Sequence, residues 1–169
     1  VEVDILRFCN NIANICFKRK EFMDDLYTDQ YFMRLAMKEA QKAYDLEEVP
    51  IGAVIVARNQ IIAKAHNQVQ MLNDVTAHAE ILALTAAEQN YGSKYLVDCT
   101  LYVTIEPCPM CAGALRWAQL GRLVYGADDE KNGFMRFGKA MLHPSTKLAC
   151  GICSEDGIDL MRRFFAARR

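Results

Sequence analysis

Excess charge is the first thing this sequence does without. Lys and Arg number 20 against 21 Asp and Glu, for a net charge of −1 and a pI near 6.3. Such a balance excludes a protein that wraps nucleic acid through bulk charge, although it leaves room for a local basic patch. No run reaches the roughly 18 uninterrupted apolar residues of a helical membrane span. The first twenty residues are broken by Glu2, Asp4 and Arg7 and place their basic cluster last, so they do not read as a signal peptide. Together these features predict a cytoplasmic protein. No internal repeat or low-complexity linker is present, which excludes a solenoid. The seven cysteines are an odd number, unsuited to a disulfide framework in a reducing compartment, and their paired spacings point to metal or catalysis. Histidine is scarce: only His66, His78 and His143 are available as imidazole ligands.

What is present is ordinary globular material, 52% hydrophobic and 24% charged over 169 residues, enough for one domain with a proper core. Apolar positions Phe32, Leu35, Ala36, Ala40, Ala43 and Leu46 recur at helical spacing behind Thr28 or Asp29 as N-cap. "IGAVIVA" (51–57) is apolar and β-branched throughout, the pattern of a strand covered on both faces. "RNQ" turns the chain into a second strand, "IIAKAHN". A helix is predicted from Ala77 to Gln89 with Ile81, Leu82, Leu84 and Thr85 inward, then a strand "LYVTI", a helix "MCAGALRWAQL" and a strand "RLVYGA". Strands alternating with helices imply a layered α/β domain. Residues 128–144 are polar, glycine-containing and irregular, a functional loop by composition. A terminal helix follows, with Ser154 as N-cap and a basic end carrying Arg162, Arg163, Arg168 and Arg169. Residues 1–27 read as a helical extension and 28–169 as the domain.

The stretch "IEPCPMC" (105–111) raises the chemical question. Cys108 and Cys111 face the same way if they open a helix, and Pro109 suits the first turn, where its missing N–H costs nothing. The positive helix end favours the thiolate. Zinc prefers thiolate and imidazole, and a catalytic site supplies three ligands. His78, in "TAHAEIL" at the start of a helix, can be the third. Glu80, two residues on, can converge on the same point from the first turn. A second pair, Cys150 and Cys153 in "LACGIC", allows a rival structural site with four thiolates. Cys9, Cys16 and Cys99 have no sequence partners and read as plain core or surface residues, as His66 and His143 read as strand and loop residues.

His-x-Glu followed some thirty residues later by Pro-Cys-x-x-Cys resembles the signature of the zinc nucleobase deaminases. In that family zinc activates water at neutral pH, and the non-ligating glutamate carries protons. From Tyr31 onward "EVPIGAVIV", "HN", "TAHAEILAL", "TLYVTIEPCPMCAGAL" and "FFAARR" resemble the bacterial tRNA-specific adenosine deaminases more specifically. The resemblance implies a cytidine-deaminase-like three-layer α/β/α sandwich around a mixed sheet, a homodimer, one zinc per subunit, and conversion of adenosine to inosine at the wobble position of a tRNA anticodon stem-loop. It makes His78, Cys108 and Cys111 the metal ligands and Glu80 the catalytic acid–base. Asn67 falls on the asparagine that binds the base, though the residue alone also reads as a turn former. Lys131, Phe165, Arg168 and Arg169 fall on RNA-contacting positions; a solvated basic helix end is the plainer reading of the last two. The loop "DEKNGFMRFG" departs from the family pattern, with Phe134 to Phe137 bulkier than usual, placed either to stack on bases or to pack against a second subunit. Two other functions share some of these features. A guanine or cytosine/nucleotide deaminase would need no basic tail, and a zinc-stabilised RNA-binding module would need no Glu80.

Overall fold

The computed structural model describes residues 27–168. The expected N-terminal extension lies outside them but for Tyr27, as do Cys9, Cys16 and Arg169.

The first helix, α1 (Asp29–Asp45), starts where Thr28 Oγ1 accepts the Tyr31 N–H at 3.2 Å, the capping role read from the sequence. Strand β1 (Gly52–Ala57) is buried along its whole length, and a two-residue turn carries it into β2 (Gln60–His66). Arg58 and Asn59 take φ of 49° and 62° there, the left-handed pair that matches strand twist in tight hairpins. A short helix α2 (Val69–Leu72), not expected from the sequence, precedes α3 (Ala79–Tyr91). Then come β3 (Cys99–Ile105), α4 (Pro109–Trp117), β4 (Arg122–Ala127), two 3-10 turns (Phe134–Phe137 and Lys139–Met141), β5 (Lys147–Cys150) and α5 (Ser154–Ala166).

The five strands form one mixed sheet in the order β2-β1-β3-β4-β5, antiparallel across β2, β1 and β3 and parallel from β3 to β5. Alternate side chains divide the core in two, as strand pleating requires. Ala53, Ile55, Leu101, Val103 and Leu123 pack against α3 and α4, whereas Val54, Val56, Tyr102 and Val124 meet Phe32, Met33 and Ala36 of α1. The α5 helix packs on β3, β4 and α1. This is the three-layer α/β/α sandwich.

Three local expectations need correction. Thr85 is exposed; Leu84 is buried as expected, and the rest of the inward stripe of α3 is Ala79, Ala83 and Ala87, whose small side chains let the helix lie close on the sheet. Ser154 is the first helical residue of α5 rather than its cap, a position held by Cys153 in the left-handed region at φ 56°. The α4 helix stops at Trp117 instead of Leu120, because Gln119 takes φ 52° and turns the chain out.

Strand direction decides where chemistry can gather. The parallel β3 and β4 finish at the same end of the sheet, where the antiparallel β1 begins and β2 finishes. That end therefore collects residues 48–52, 66–67, 105–111 and 127–132, the carboxyl-end crevice at which α/β sheets bind ligands.

Candidate metal centre and active-site cleft

Two helix N-termini meet at this end. His78 is the N-cap residue of α3 and Cys108 that of α4; both have extended backbones, and neither side chain caps its own helix. Both are left free to face across the gap. Cys111 comes from the first turn of α4, on the same side as Cys108. His78 Nδ1 lies 3.7 Å from Cys108 Sγ and 3.6 Å from Cys111 Sγ, and the three atoms all fall within 4.8 Å of one another. A tetrahedral zinc with Zn–S of about 2.3 Å and Zn–N of about 2.0 Å spaces such ligands about 3.5 Å apart. The donor set fits zinc in both chemistry and spacing.

Electrostatics in the metal-free cluster show the same preorganisation. Cys108 is lowered to about 4, first by a hydrogen bond from the Cys111 thiol and then by His78. Cys111 is pushed up, chiefly by that bond to the Cys108 sulfur. His78 is raised above its ordinary range, mainly by its hydrogen bond to Cys108. A divalent cation between the two sulfurs satisfies both at once.

Glu80 is buried in the first turn of α3, and its Oε2 has no hydrogen-bond partner. Burial raises its carboxyl above the ordinary carboxylate range. A buried carboxyl oxygen without a donor is costly in a finished fold and points to something the site is built to receive.

Above the cluster opens a cleft of about 1340 Å³, into which His78, Glu80, Cys108, Asn67, Lys131, Phe165 and Arg168 all contribute. Cys111 lies buried behind Cys108. Two further carboxylates, Glu48 and Glu106, line the walls, and each of their oxygens accepts an N–H. Glu48 accepts from Asn67 Nδ2 at 3.0 Å and from the Met71 N–H at 2.8 Å. Glu106 accepts from the Asp129 N–H at 3.0 Å and the Met135 N–H at 2.8 Å, tying down both ends of the loop that carries Lys131. Gly133 lies directly on that carboxylate: a Cβ there would sit 2.3 Å from Glu106 Oε1. Sequence reasoning missed Glu48 and Glu106. Each stood in a quoted stretch, "EVPIGAV" and "IEPC", but no local pattern distinguishes a buried acid from a solvated one.

Phe134 resolves one of the open alternatives: it is fully buried edge-on against Tyr125, so it is core. Phe137 is exposed, and Arg136 donates to the Lys131 carbonyl and braces the loop. Arg168 stacks on Phe164 with its guanidinium 3.6 Å from the ring centre and donates to the Phe164 and Glu47 carbonyls. His66 ends β2 and His143 lies in a loop beside Ser145, as expected. Among the described residues the His78–Cys108–Cys111 group is the one cluster with metal-ligand spacing. Cys150 ends β5, two strands across from β3, and the four-thiolate site does not form.

A three-donor thiolate–imidazole cluster on two helix N-termini, with a non-ligating buried carboxyl beside it, defines the class: a zinc-dependent hydrolytic deaminase domain. The family model described as the cytidine and deoxycytidylate deaminase zinc-binding region matches residues 26–127. The tRNA-specific adenosine deaminase of Agrobacterium fabrum is 40% identical over 144 residues, covering 82% of this chain and 95% of the relative. That of Aquifex aeolicus is 47% identical over 104 residues, covering 62% and 69%. A solved structure from a study of A-to-I editing by tRNA:A34 deaminases superposes with a TM-score of 0.72 at 40% identity, over 77% of this chain and 98% of its own. The chain therefore belongs to the cytidine and deoxycytidylate deaminase family, in the branch of the tRNA-specific adenosine deaminases.

Proposed function

We infer that this protein hydrolyses adenosine to inosine at the wobble position of tRNA, releasing ammonia. The observation that carries the chemistry is the partnerless Oε2 of Glu80 beside the three-donor cluster, on the floor of a cleft open to a large ligand. His78, Cys108 and Cys111 hold one zinc per chain. When bound, the zinc supplies Lewis acidity that makes water nucleophilic near neutral pH. Glu80 takes the first proton of the attacking water on its free carboxyl oxygen and gives it to the ring nitrogen, then takes the remaining hydroxyl proton and gives it to the departing amine. The net change is one water consumed and one ammonia released. Glu80 ends in the protonation state in which it began.

The base must leave its stack to reach this floor, which costs a few kcal/mol and has to be offset by contacts to the surrounding loop. Asn67 binds the base edge. Half-exposed Phe165 offers a face on which a splayed base stacks. Lys131 and the tail residues Arg168 and Arg169 meet phosphates. The Arg168 guanidinium has five donors, so its two carbonyl contacts leave others for an anion. The face of α4 with Met110 and Trp117 exposed and open space at Gly113 suits a second copy of the chain, giving a homodimer. Among the described residues no helix is long and apolar enough to cross a membrane, in keeping with a cytoplasmic enzyme.

The test is to incubate the purified, zinc-loaded protein separately with an adenosine-containing anticodon stem-loop, free guanine and cytidine. Inosine in the stem-loop, with the small substrates converted far more slowly, is the expected result. Equal or greater turnover of guanine or cytidine would move the protein to the small-substrate branch.

A further inference from the structure

Glu48 is the most deeply buried acid of the described residues, at 1% exposure, and it belongs to neither the metal cluster nor the loop anchor. Its two oxygens each receive one N–H, from Asn67 Nδ2 and from the Met71 backbone. It sits just after Glu47, which takes the left-handed φ of 63° and whose carbonyl is held by Arg168. The segment is thus tied to β2, to α2 and to the end of α5.

A carboxylate only accepts, so its partner on Asn67 must be the amide nitrogen. That settles which way the amide faces. One N–H is spent on Glu48, and Oδ1 with the second N–H is left toward the cleft that Asn67 lines. An amide oxygen beside an amide N–H is the pair that matches the N6 donor and N7 acceptor of adenine. A 6-oxopurine presents two acceptors on the same edge, and its O6 would face Oδ1 with no proton between them.

We propose that Glu48 is a specificity-determining positioning residue: by fixing the Asn67 amide, it makes the site favour the 6-aminopurine substrate over the 6-oxopurine product. The proposal rests on the adenosine reading above. It has a consequence for turnover, because deamination itself converts the favoured edge into the disfavoured one and so weakens product binding. Glutamine at position 48 would present either an acceptor or a donor to Asn67, freeing the amide to turn and offer N–H groups to an oxo edge.

The experiment compares the KM of an adenosine stem-loop with the Ki of the same stem-loop carrying inosine, in wild type, Glu48→Gln, Glu48→Asp, Asn67→Ala and the Glu48→Gln/Asn67→Ala double variant. Zinc content and melting are measured for each. Wild type should bind the inosine form roughly tenfold or more weakly, the discrimination expected of one bidentate pair. Glu48→Gln should erase most of that preference, Glu48→Asp should keep it, and Glu48→Gln should change nothing further once Asn67 is alanine. An unmoved ratio in folded, zinc-loaded Glu48→Gln, or an equal effect in the Asn67→Ala background, overturns the proposal. A second readout needs no folded variant at position 48: the Asn67 side-chain amide of wild type, assigned by its loss in Asn67→Ala, should exchange slowly with solvent. Fast exchange overturns the proposal. Wild-type protein that leaves the adenosine stem-loop unconverted overturns the functional reading instead, whereas normal turnover with an unmoved ratio overturns only the role of Glu48.

Discussion

The floor and the walls of the cleft are built from the same kind of residue put to opposite uses. Glu80 on the floor and Glu48 and Glu106 on the walls are all buried carboxyls. Each wall acid accepts two N–H groups and uses them to hold a segment in place. The floor acid has an oxygen with no partner. The wall acids serve as scaffolding in this reading, because each of their oxygens already accepts an N–H from a segment packed beside it. Glu80 Oε2, left without a donor at a cost in stability, is the oxygen to which the proposed mechanism gives the protons of the attacking water.

The comparison breaks most severely if the floor does not depend on its three donors. Cys111→Ser or His78→Ala should lose the bound zinc and all measurable deamination, as read by metal analysis alongside inosine formation. Cys150→Ser with Cys153→Ser should keep both. Retention of zinc in the first pair, or its loss in the second, would return the metal to a different set of ligands.

The wall is tested by Glu106→Ala. Removing one acceptor from two backbone N–H groups should cost about 2–4 kcal/mol in chemical unfolding, taking each charge-assisted bond at about 1.5–3 kcal/mol with water recovering part. Zinc content should stay unchanged, and KM for the stem-loop should rise more than kcat falls, because the loop with Lys131 loses its two bonds to the Glu106 carboxylate. A fall in kcat alone would make Glu106 a floor residue.

Lys131→Ala should leave zinc and melting untouched and flatten the salt dependence of stem-loop binding by about one unit of slope, the share of one phosphate contact. Arg168→Ala should do the same and also lower stability, since its stacking on Phe164 and its grip on the Glu47 carbonyl are lost together. An unchanged slope in both would remove the basic rim from RNA binding.

The smallest effect lies away from the cleft, where Arg122 donates two hydrogen bonds at 2.6 Å to Asp29 and so ties α1 to β4. The Arg122 hydrogen bond holds Asp29 below its ordinary 3.8. A carboxyl depressed in the folded state adds stability that is present above the unfolded value and is lost as pH falls through the folded one. Asp29→Asn should therefore lower stability by about 1 kcal/mol at pH 7, as a partly exposed pair does. The difference from wild type should shrink below pH 3.8. Melting curves at pH 7 and in that acid window check it; a constant difference would assign the loss to packing instead.

The sequence carried the floor and the cleft residues Asn67, Lys131, Phe165 and Arg168, but not the two buried wall acids, for a physical reason. His78, Glu80, Cys108 and Cys111 are read by spacing along helix starts, a local property, and the strands that aim them are short apolar runs such as "GAVIVA" and "RLVYGA". Glu48 and Glu106 owe their burial to partners 23 to 29 residues away, Asn67 being 19 away, and no local pattern announces such pairs. The short α2 was missed for a similar reason: at four residues it is too brief for periodicity to register. In α3, Leu84 faces the core as expected, but Thr85 does not, because most of the inward face uses alanine, which the apolar pattern of larger side chains did not announce.

The division between floor and wall is tested most directly by one paired measurement, Glu80→Gln against Glu48→Gln, each zinc-loaded, with single-turnover deamination of the adenosine stem-loop and thermal melting read on the same samples. Glu80→Gln should slow the chemical step by roughly 10²–10⁴ or more. Its melting temperature should equal or exceed that of wild type, because a buried unpaired carboxyl has been neutralised. Glu48→Gln should show the reverse, a lowered melting temperature with the chemical step at saturating substrate nearly intact. A destabilised but active Glu80→Gln, or a stable Glu48→Gln that has lost the chemical step, would contradict this assignment of roles.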